Sequence, residues 1–257
     1  MKEFSTSVNL DVFAYAKKGD DATKRLCGSL RILPNDILHQ RNVDVLLMNI
    51  CHGQTTSDGS TTLIKGEEKT QLTEENLKKF YDQALVNLNV KKVDINIDNM
   101  NDPLMKKCEA EFLDTPRTIY DSFLAVDNNE TLELNDDSDE FDRLFFFIAD
   151  NYLADHPSIN KNCFVIVAIP LGGDLNGYSY SGKRFTFCFS NCNLATPTHE
   201  LGHALGLPHT FTGCTSLAKY VYQYASTDNI MDYSHQYDVE RQSFFYWQWK
   251  SMNAFME

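Results

Sequence analysis

The sequence predicts an α+β fold, and three observations carry that prediction. Residues 43–98 read as strand, helix, strand; residues 163–169 form an unbroken apolar run; and a helix start at Thr196 and Pro197 leads into residues spaced for one helix face. With 257 residues, 42% hydrophobic and 23% charged, the chain is long enough to bury a sizeable core.

At the N-terminus, Val8, Leu10 and Val12 alternate with polar residues, as do Leu26, Gly28, Leu30 and Ile32, and the turn-prone stretch 17–21 separates them, so a pair of strands is expected. Residues 1–40 are set apart as an accessory β segment, a partner-binding element or an inhibitory pro-segment, and residues 41–257 as the main domain. Val43, Val45, Leu46, Leu47, Met48 and Ile50 suit an interior strand, followed by a Gly-, Ser- and Thr-rich connection over about 53–62. Thr73 caps a helix with Glu74 and Glu75 in its first turn, and Leu77, Phe80, Tyr81, Ala84 and Leu88 make its apolar face.

Val93, Ile95 and Ile97 against Asp94, Asn96 and Asp98 mark a half-buried strand. Asp102 and Pro103 open a helix to about Phe112, and Ile119 to Val126 reads as extended. The acidic run Asp127–Asp142 reads as a solvated loop; calcium is possible there but unsupported, because the spacing does not fit the twelve-residue loop pattern. Phe141, Leu144, Phe145, Ile148 and Tyr152 form an apolar helix ended near Pro157, with its aromatics in the core. Cys163–Ile169 belongs mid-sheet, and Lys183–Ser190 reads as another strand with Phe185, Phe187 and Phe189 on one side. Thr196 caps the next helix with Pro197 at its first position, and Leu201, Ala204 and Leu205 pack it on the sheet. Phe244, Phe245, Trp247 and Trp249 lie in a C-terminal helix as packing residues.

Residues 199–209 read H-E-L-G-H-A-L-G-L-P-H. Four residues separate His199 from His203, so a helix places both imidazoles on one face, one turn apart, within reach of one metal ion. Glu200 stands beside the first ligand off that face, placed to act as general base on a metal-bound water. Gly206 turns the chain out of the helix through a positive φ and allows His209 to return as third ligand. Three protein nitrogens leave one tetrahedral position open, the arrangement of a catalytic Zn2+ rather than a structural one. Five fixed residues at this spacing arise by chance in such a chain with a probability on the order of one in 100,000.

This stretch resembles the elongated zinc signature of the metzincin clan of metallopeptidases, and Asn229-Ile230-Met231-Asp232-Tyr233-Ser234 is similar to the clan's Met-turn. Within the clan, His209-Thr210-Phe211 with Gly213 and Cys214, and the M-D-Y around Met231, look most like the pappalysins. Cys214 matches the first of two cysteines that pair in that family, and residues 234–246 contain no second one.

The resemblance covers roughly 160–257 and implies a mixed, twisted sheet with two or more helices in an N-terminal lobe (41–206). It also implies an active-site helix at the lobe boundary and a small, mostly irregular C-terminal lobe (207–257) with a terminal helix. Met231 would floor the metal site, Tyr233 would reach the metal or the developing oxyanion, and an edge strand within about 176–190 would bind an extended substrate. Cys27 reads as a buried small residue, with capping of the zinc in a latent form as the alternative. The implied activity is zinc-dependent endopeptidase, with protein or peptide as substrate. A delivered toxin or effector peptidase and a non-catalytic zinc-stabilised binding protein are the alternatives.

A formal charge of -13 argues against nucleic-acid and anionic-membrane binding, and favours basic substrates weakly. No stretch approaches a membrane span, and residues 1–20 lack the unbroken apolar core of a secretory signal. Export without a visible signal is favoured, with the cytoplasm as the alternative. Seven cysteines at irregular spacing point to buried free thiols, with one bridge among Cys188, Cys192 and Cys214 possible. His39, His52 and His156 have no partner at ligand spacing; neither does His235, which follows the Met-turn and is the one placed to line a cleft. Oligomeric state is not legible.

Overall fold

The computed structural model describes residues 4–256 except 17, 19–20, 71, 123, 127–131, 135–137, 173–174, 181, 191 and 213–219. It forms two compact units, Met1–Arg41 and Asn42–Glu257. In the first, β1 (Val8–Ala14) and β2 (Arg25–Ile32) pair antiparallel, with a register shift between Val12 and Phe13. The expected pair of strands is present, and Leu10, Val12, Leu26 and Leu30 along it are all exposed. A two-stranded ribbon has no second layer to cover either face. For the same reason Cys27 is exposed, correcting the expectation of a buried thiol.

The second unit is built on a mixed sheet. Among the described residues its strands are β3 (Arg41–Thr55), β4 (Thr61–Lys65), β5 (Val86–Asn96), then β8 (Phe164–Ala168), β9 (Gly177–Ser179) and β10 (Phe185–Cys188), while the short β6 (Leu124–Val126) and β7 (Leu132–Leu134) pair only with each other. The order β4-β3-β8-β10-β9 has β3, β8 and β10 parallel at its centre, antiparallel β4 and β9 at its ends, and β5 also on β3.

Helices cover both faces. These are α1 (Gly66–Thr70), α2 (Glu74–Tyr81), α3 (Pro103–Phe112), α4 (Pro116–Ser122), α5 (Ser138–Asp155), α6 (Thr196–Ala204) and α7 (Tyr246–Phe255). Strand pleating sends Leu46, Met48, Val165 and Val167 into a core with α3, α4 and α5. It sends Val45, Leu47, Ile166 and Ala168 into a second core with α2 and α6. The apolar run 163–169 is therefore a strand buried on both faces, as expected for the middle of such a sheet.

Several local expectations hold. Thr73 Oγ1 accepts from Asn76 N at 3.1 Å, Asp102 Oδ1 accepts from Leu104 N at 2.8 Å, and Phe141, Leu144, Phe145 and Ile148 are buried. Others do not. The connection expected over 53–62 shrinks to 56–60, because β3 runs to Thr55 and β4 starts at Thr61, with the hairpin closed by Thr56 N to Ser60 O at 2.8 Å. The 73–88 helix stops at Tyr81, and Leu88 belongs to β5, since Leu85 takes a left-handed φ of 57° that ends the helical path. Residues 119–122 are helical rather than extended, and Thr115 Oγ1 accepts from Thr118 N in that helix's first turn. Half of the acidic run lies outside the described residues; the other half is β7 and the start of α5 rather than loop, and its last member, Asp142, is buried and accepts from the hydroxyls of Tyr178 in β9 and of Tyr180 just after it.

Candidate metal centre

Helix α6 carries the first three residues of the motif. Its start differs by one residue from the expectation: Thr196 is already helical, and Asn193 Oδ1 accepts from Ala195 N at 3.0 Å and Thr196 N at 3.1 Å. Asn193 reaches amides two and three residues ahead of it, and the Thr196 hydroxyl donates to the same oxygen at 3.2 Å instead of capping. Its end is a Schellman turn. Gly206, at φ 83°, donates to His203 O at 2.9 Å, and Leu207 N donates to Gly202 O at 2.9 Å. The same turn orients a ligand, because Leu207 O accepts from His203 Nδ1 at 2.7 Å. His199 Nδ1 likewise donates to Ile230 O at 2.7 Å.

With those Nδ1 protons committed to carbonyls, the Nε2 lone pairs of His199 and His203 point inward. They meet Nε2 of His209 at 3.2 and 3.0 Å, and each other at 3.1 Å. A tetrahedral ion with bonds of about 2.0–2.1 Å needs ligand nitrogens roughly 3.3 Å apart. Three converging lone pairs repel one another unless a cation sits among them, so the donor set fits a small divalent ion. Burial lowers all three histidines from the ordinary range, His209 to about 4, and holds them in the neutral form a metal requires.

The irregular chain after α6 completes the centre. His209 stacks on Phe211, with ring centroids 4.9 Å apart, and Thr210 N donates to Met231 O at 3.2 Å. Met231 is fully buried against Gly202, where a Cβ would stand 2.6 Å from its Sδ. Only a glycine between the two helix ligands leaves that room. Tyr233 sets its ring 4.7 Å from His209 and 5.5 Å from His199. Asp232, which faces away, accepts from Ala225 N, Thr227 N and Tyr233 N at 2.7–2.9 Å.

Glu200 lines a cleft of about 190 Å³ with His199, Gly177, Tyr233, His235 and Arg241. Burial pushes its carboxyl up to about 7, opposed by the positive charge of Arg241. An ion among the histidines would pull it back down. Ser179 Oγ donates to Glu200 O at 2.8 Å, so β9, the sheet's edge, lies directly along α6. The expected edge is thus β9, while β10 within the same stretch is an interior strand. His235 does line the cleft.

Arg241, Tyr81 and Gln248 support the site without any signal in the sequence, and Asn229, read there only as the start of the Met-turn stretch, joins them. Arg241, 4% exposed, approaches His199, Asn193 and Thr196. Tyr81 of α2 donates to Thr198 O at 2.9 Å and buttresses α6. Asn229 and Gln248, both fully buried, exchange reciprocal amide bonds at 2.7 and 3.1 Å, and Asn229 Oδ1 accepts from Met231 N at 2.9 Å. None of these partners carries a local pattern, because each pair is joined only by folding. Cys51, Cys108, Cys163, Cys188 and Cys192 are buried free thiols, and Cys214, with its suggested bridge, lies outside the described residues.

Residues 176–255 match the family model described as Peptidase M66. No curated protein matches the chain. Among solved structures it is similar to mature mirolysin of Tannerella forsythia in complex with a cleaved peptide, at 12% identity and TM-score 0.42 over 83% of this chain and 90% of that one. It is also similar to a chaperone–substrate complex at 13% identity and TM-score 0.36, over 96% of this chain and 42% of that one. The matched segment holds the three histidines, Glu200, Met231 and Tyr233 together; the chain is a metallopeptidase, and its substrate is protein or peptide.

Proposed function

We propose that the protein is a zinc-dependent endopeptidase with Glu200 as general base. The observation that carries this reading is the convergence of three neutral Nε2 atoms within 3.0–3.2 Å, beside a carboxyl that burial raises to about 7. Zinc held by His199, His203 and His209 would supply Lewis acidity, lowering the pKa of a water to about 7 and polarising the scissile carbonyl. Glu200 takes the proton of the attacking water and delivers it to the leaving amine. The Tyr233 hydroxyl donates to the developing oxyanion, and Met231 gives the site a rigid apolar floor. An extended peptide adds to the outer side of β9, where among the described residues backbone groups have no neighbouring strand.

Glu200→Gln tests this directly. Zinc content and fold are expected to stay unchanged while cleavage of a denatured protein falls about 10²- to 10⁴-fold. Undiminished cleavage removes Glu200 from the mechanism. Tyr233→Phe should lower turnover with zinc content unchanged, and equal rates would make Tyr233 a packing residue.

A further inference from the structure

Arg241 is a buried cation whose donors are poorly met. A guanidinium carries five N–H donors, but among the described residues Nε has no hydrogen-bond partner, and the one short contact to an acceptor is Nη2 to Asn193 Oδ1 at 2.9 Å. The other acceptors, Ile230 O, Asp232 O and Thr196 Oγ1, lie at 3.3–3.4 Å. Nη1 also stands 3.2 Å from His199 Nδ1, which already donates to Ile230 O, so that approach sets donor against donor. Among the described residues no carboxylate forms an ion pair with Arg241; Asp232 spends its oxygens on Ala225, Thr227 and Tyr233. Glu200 lines the same cleft and its charge acts on Arg241, but among the described residues the two form no ion pair; burying a cation without one is costly, and a costly group at a cleft marks function more often than stability.

Its position gives the function. Arg241 and His235 are the two residues shared by the metal cleft and an adjoining cavity of about 550 Å³. Nδ1 of His235 is buried and, among the described residues, also lacks a partner. The two residues therefore stand where the metal cleft meets the larger cavity. Because Arg241 touches the far nitrogen of a metal ligand, a group it binds lies within about two residues of the scissile bond at roughly 3.3 Å per extended residue. Lys79 on the cavity wall is cationic too, whereas Asp238 and Glu240 are acidic, but those three are exposed and screened by solvent while Arg241 is not.

We propose that Arg241, with His235 beside it, is a receptor for a substrate carboxylate next to the scissile bond, supplied by an Asp or Glu side chain or by a chain terminus. The peptidase therefore selects acidic peptides at one position, even though its overall charge of -13 repels them at long range. The inference rests on the cleft being the proteolytic site proposed above.

Two readouts separate the two ideas. One is cleavage of peptides carrying Glu or Gln at each of the two positions on either side of the scissile bond, plus pairs ending there as free acid or amide. The other is binding of the same fluorescent peptides to zinc-loaded Glu200→Gln protein by anisotropy. Glu should exceed Gln by about tenfold to a hundredfold at one position, in binding and in kcat/KM, as expected for a charge-assisted hydrogen bond. A preference confined to the free acid identifies a terminal carboxylate as the ligand. Arg241→Met should erase the ratio and Arg241→Lys keep part of it. Equal Glu and Gln at all four positions together with equal acid and amide, or an Arg241→Met protein slowed equally on every peptide, overturns the inference. If Arg241→Met fails to fold, the wild-type ratio and Arg241→Lys still decide. Binding with the expected ratio but no cleavage by wild type keeps the receptor and sinks the endopeptidase reading.

Discussion

The two halves of the metal centre are held by different physics. His199, Glu200 and His203 ride on α6, whose backbone hydrogen bonds fix their spacing whatever the neighbours do. His209, Met231, Tyr233 and Arg241 sit on chain with little regular structure, held by side-chain-to-backbone bonds and by partners far away in sequence. A helix carries its geometry in its period, and an irregular segment borrows its geometry from partners. The helical half should therefore tolerate loss of distant anchors, and the irregular half should not.

Acidification should hit both halves hardest. The three histidines are less basic in the fold than their ordinary 6.5, His209 reaching about 4, so the unfolded chain binds protons that the folded one refuses. Their contribution to stability is present above pH 6.5 and is lost as pH falls toward 4, and metal binding falls with it. Glu200, raised from 4.5 to about 7, acts in the opposite sense, losing stability as pH rises through that window. Three groups outweigh one. Melting temperature of the metal-free protein should drop between pH 7 and 5, with a shallower drop in His209→Ala; a flat profile would contradict the neutral-histidine centre.

Steric contact between the halves comes next. Gly202→Ala puts a Cβ 2.6 Å from Met231 Sδ in a fully buried site, and the clash, about 1–3 kcal/mol, exceeds the roughly 1 kcal/mol of helix propensity gained. In a Met231→Ala background the same change should stabilise α6. Denaturant titration of the four proteins reads the coupling, and additivity would mean that the two segments do not touch.

Gln248→Ala breaks an anchor of the irregular half, and with it the bond from Phe245 N at the start of α7, while leaving α6 untouched. It strands the buried Asn229 amide, which should cost about 1–3 kcal/mol and loosen Met231, whose N–H bonds Asn229 Oδ1. Hydrogen exchange should rise around 229–233 with α6 protected as before; equal loosening of α6 would erase the contrast.

The smallest effect tests where the helix begins. Asn193→Ala should cost about 1 kcal/mol because Asn193 accepts from two first-turn amides, whereas Thr196→Ala should cost less. The reverse ranking would restore Thr196 as cap.

This contrast also explains what the sequence disclosed. The helix spacing, the turn at Gly206 and the pleat of 163–169 are local patterns, and each is found in place. Thr196 reads as the cap, but the cap is Asn193, whose Oδ1 takes the Ala195 and Thr196 amides, a choice between neighbouring polar side chains that the spacing does not make. Residues 119–122 carry β-branched and aromatic side chains that suit a strand, but packing of Ile119 and Tyr120 into the core makes them helical. Tyr81 reaches Thr198 across 117 residues, Arg241 reaches Asn193 across 48, and Asn229 meets Gln248 across 19, separations at which no period exists to be read.

The Schellman turn at Gly206 also has an evolutionary corollary. Leu207 simultaneously closes α6 and holds His203 through its carbonyl, so the count of residues from His199 to His209 cannot change. One inserted residue would rotate the downstream chain by about 100° and swing the third imidazole away. Relatives of this chain can exchange side chains across these eleven positions, but insertions and deletions there should be lethal to activity.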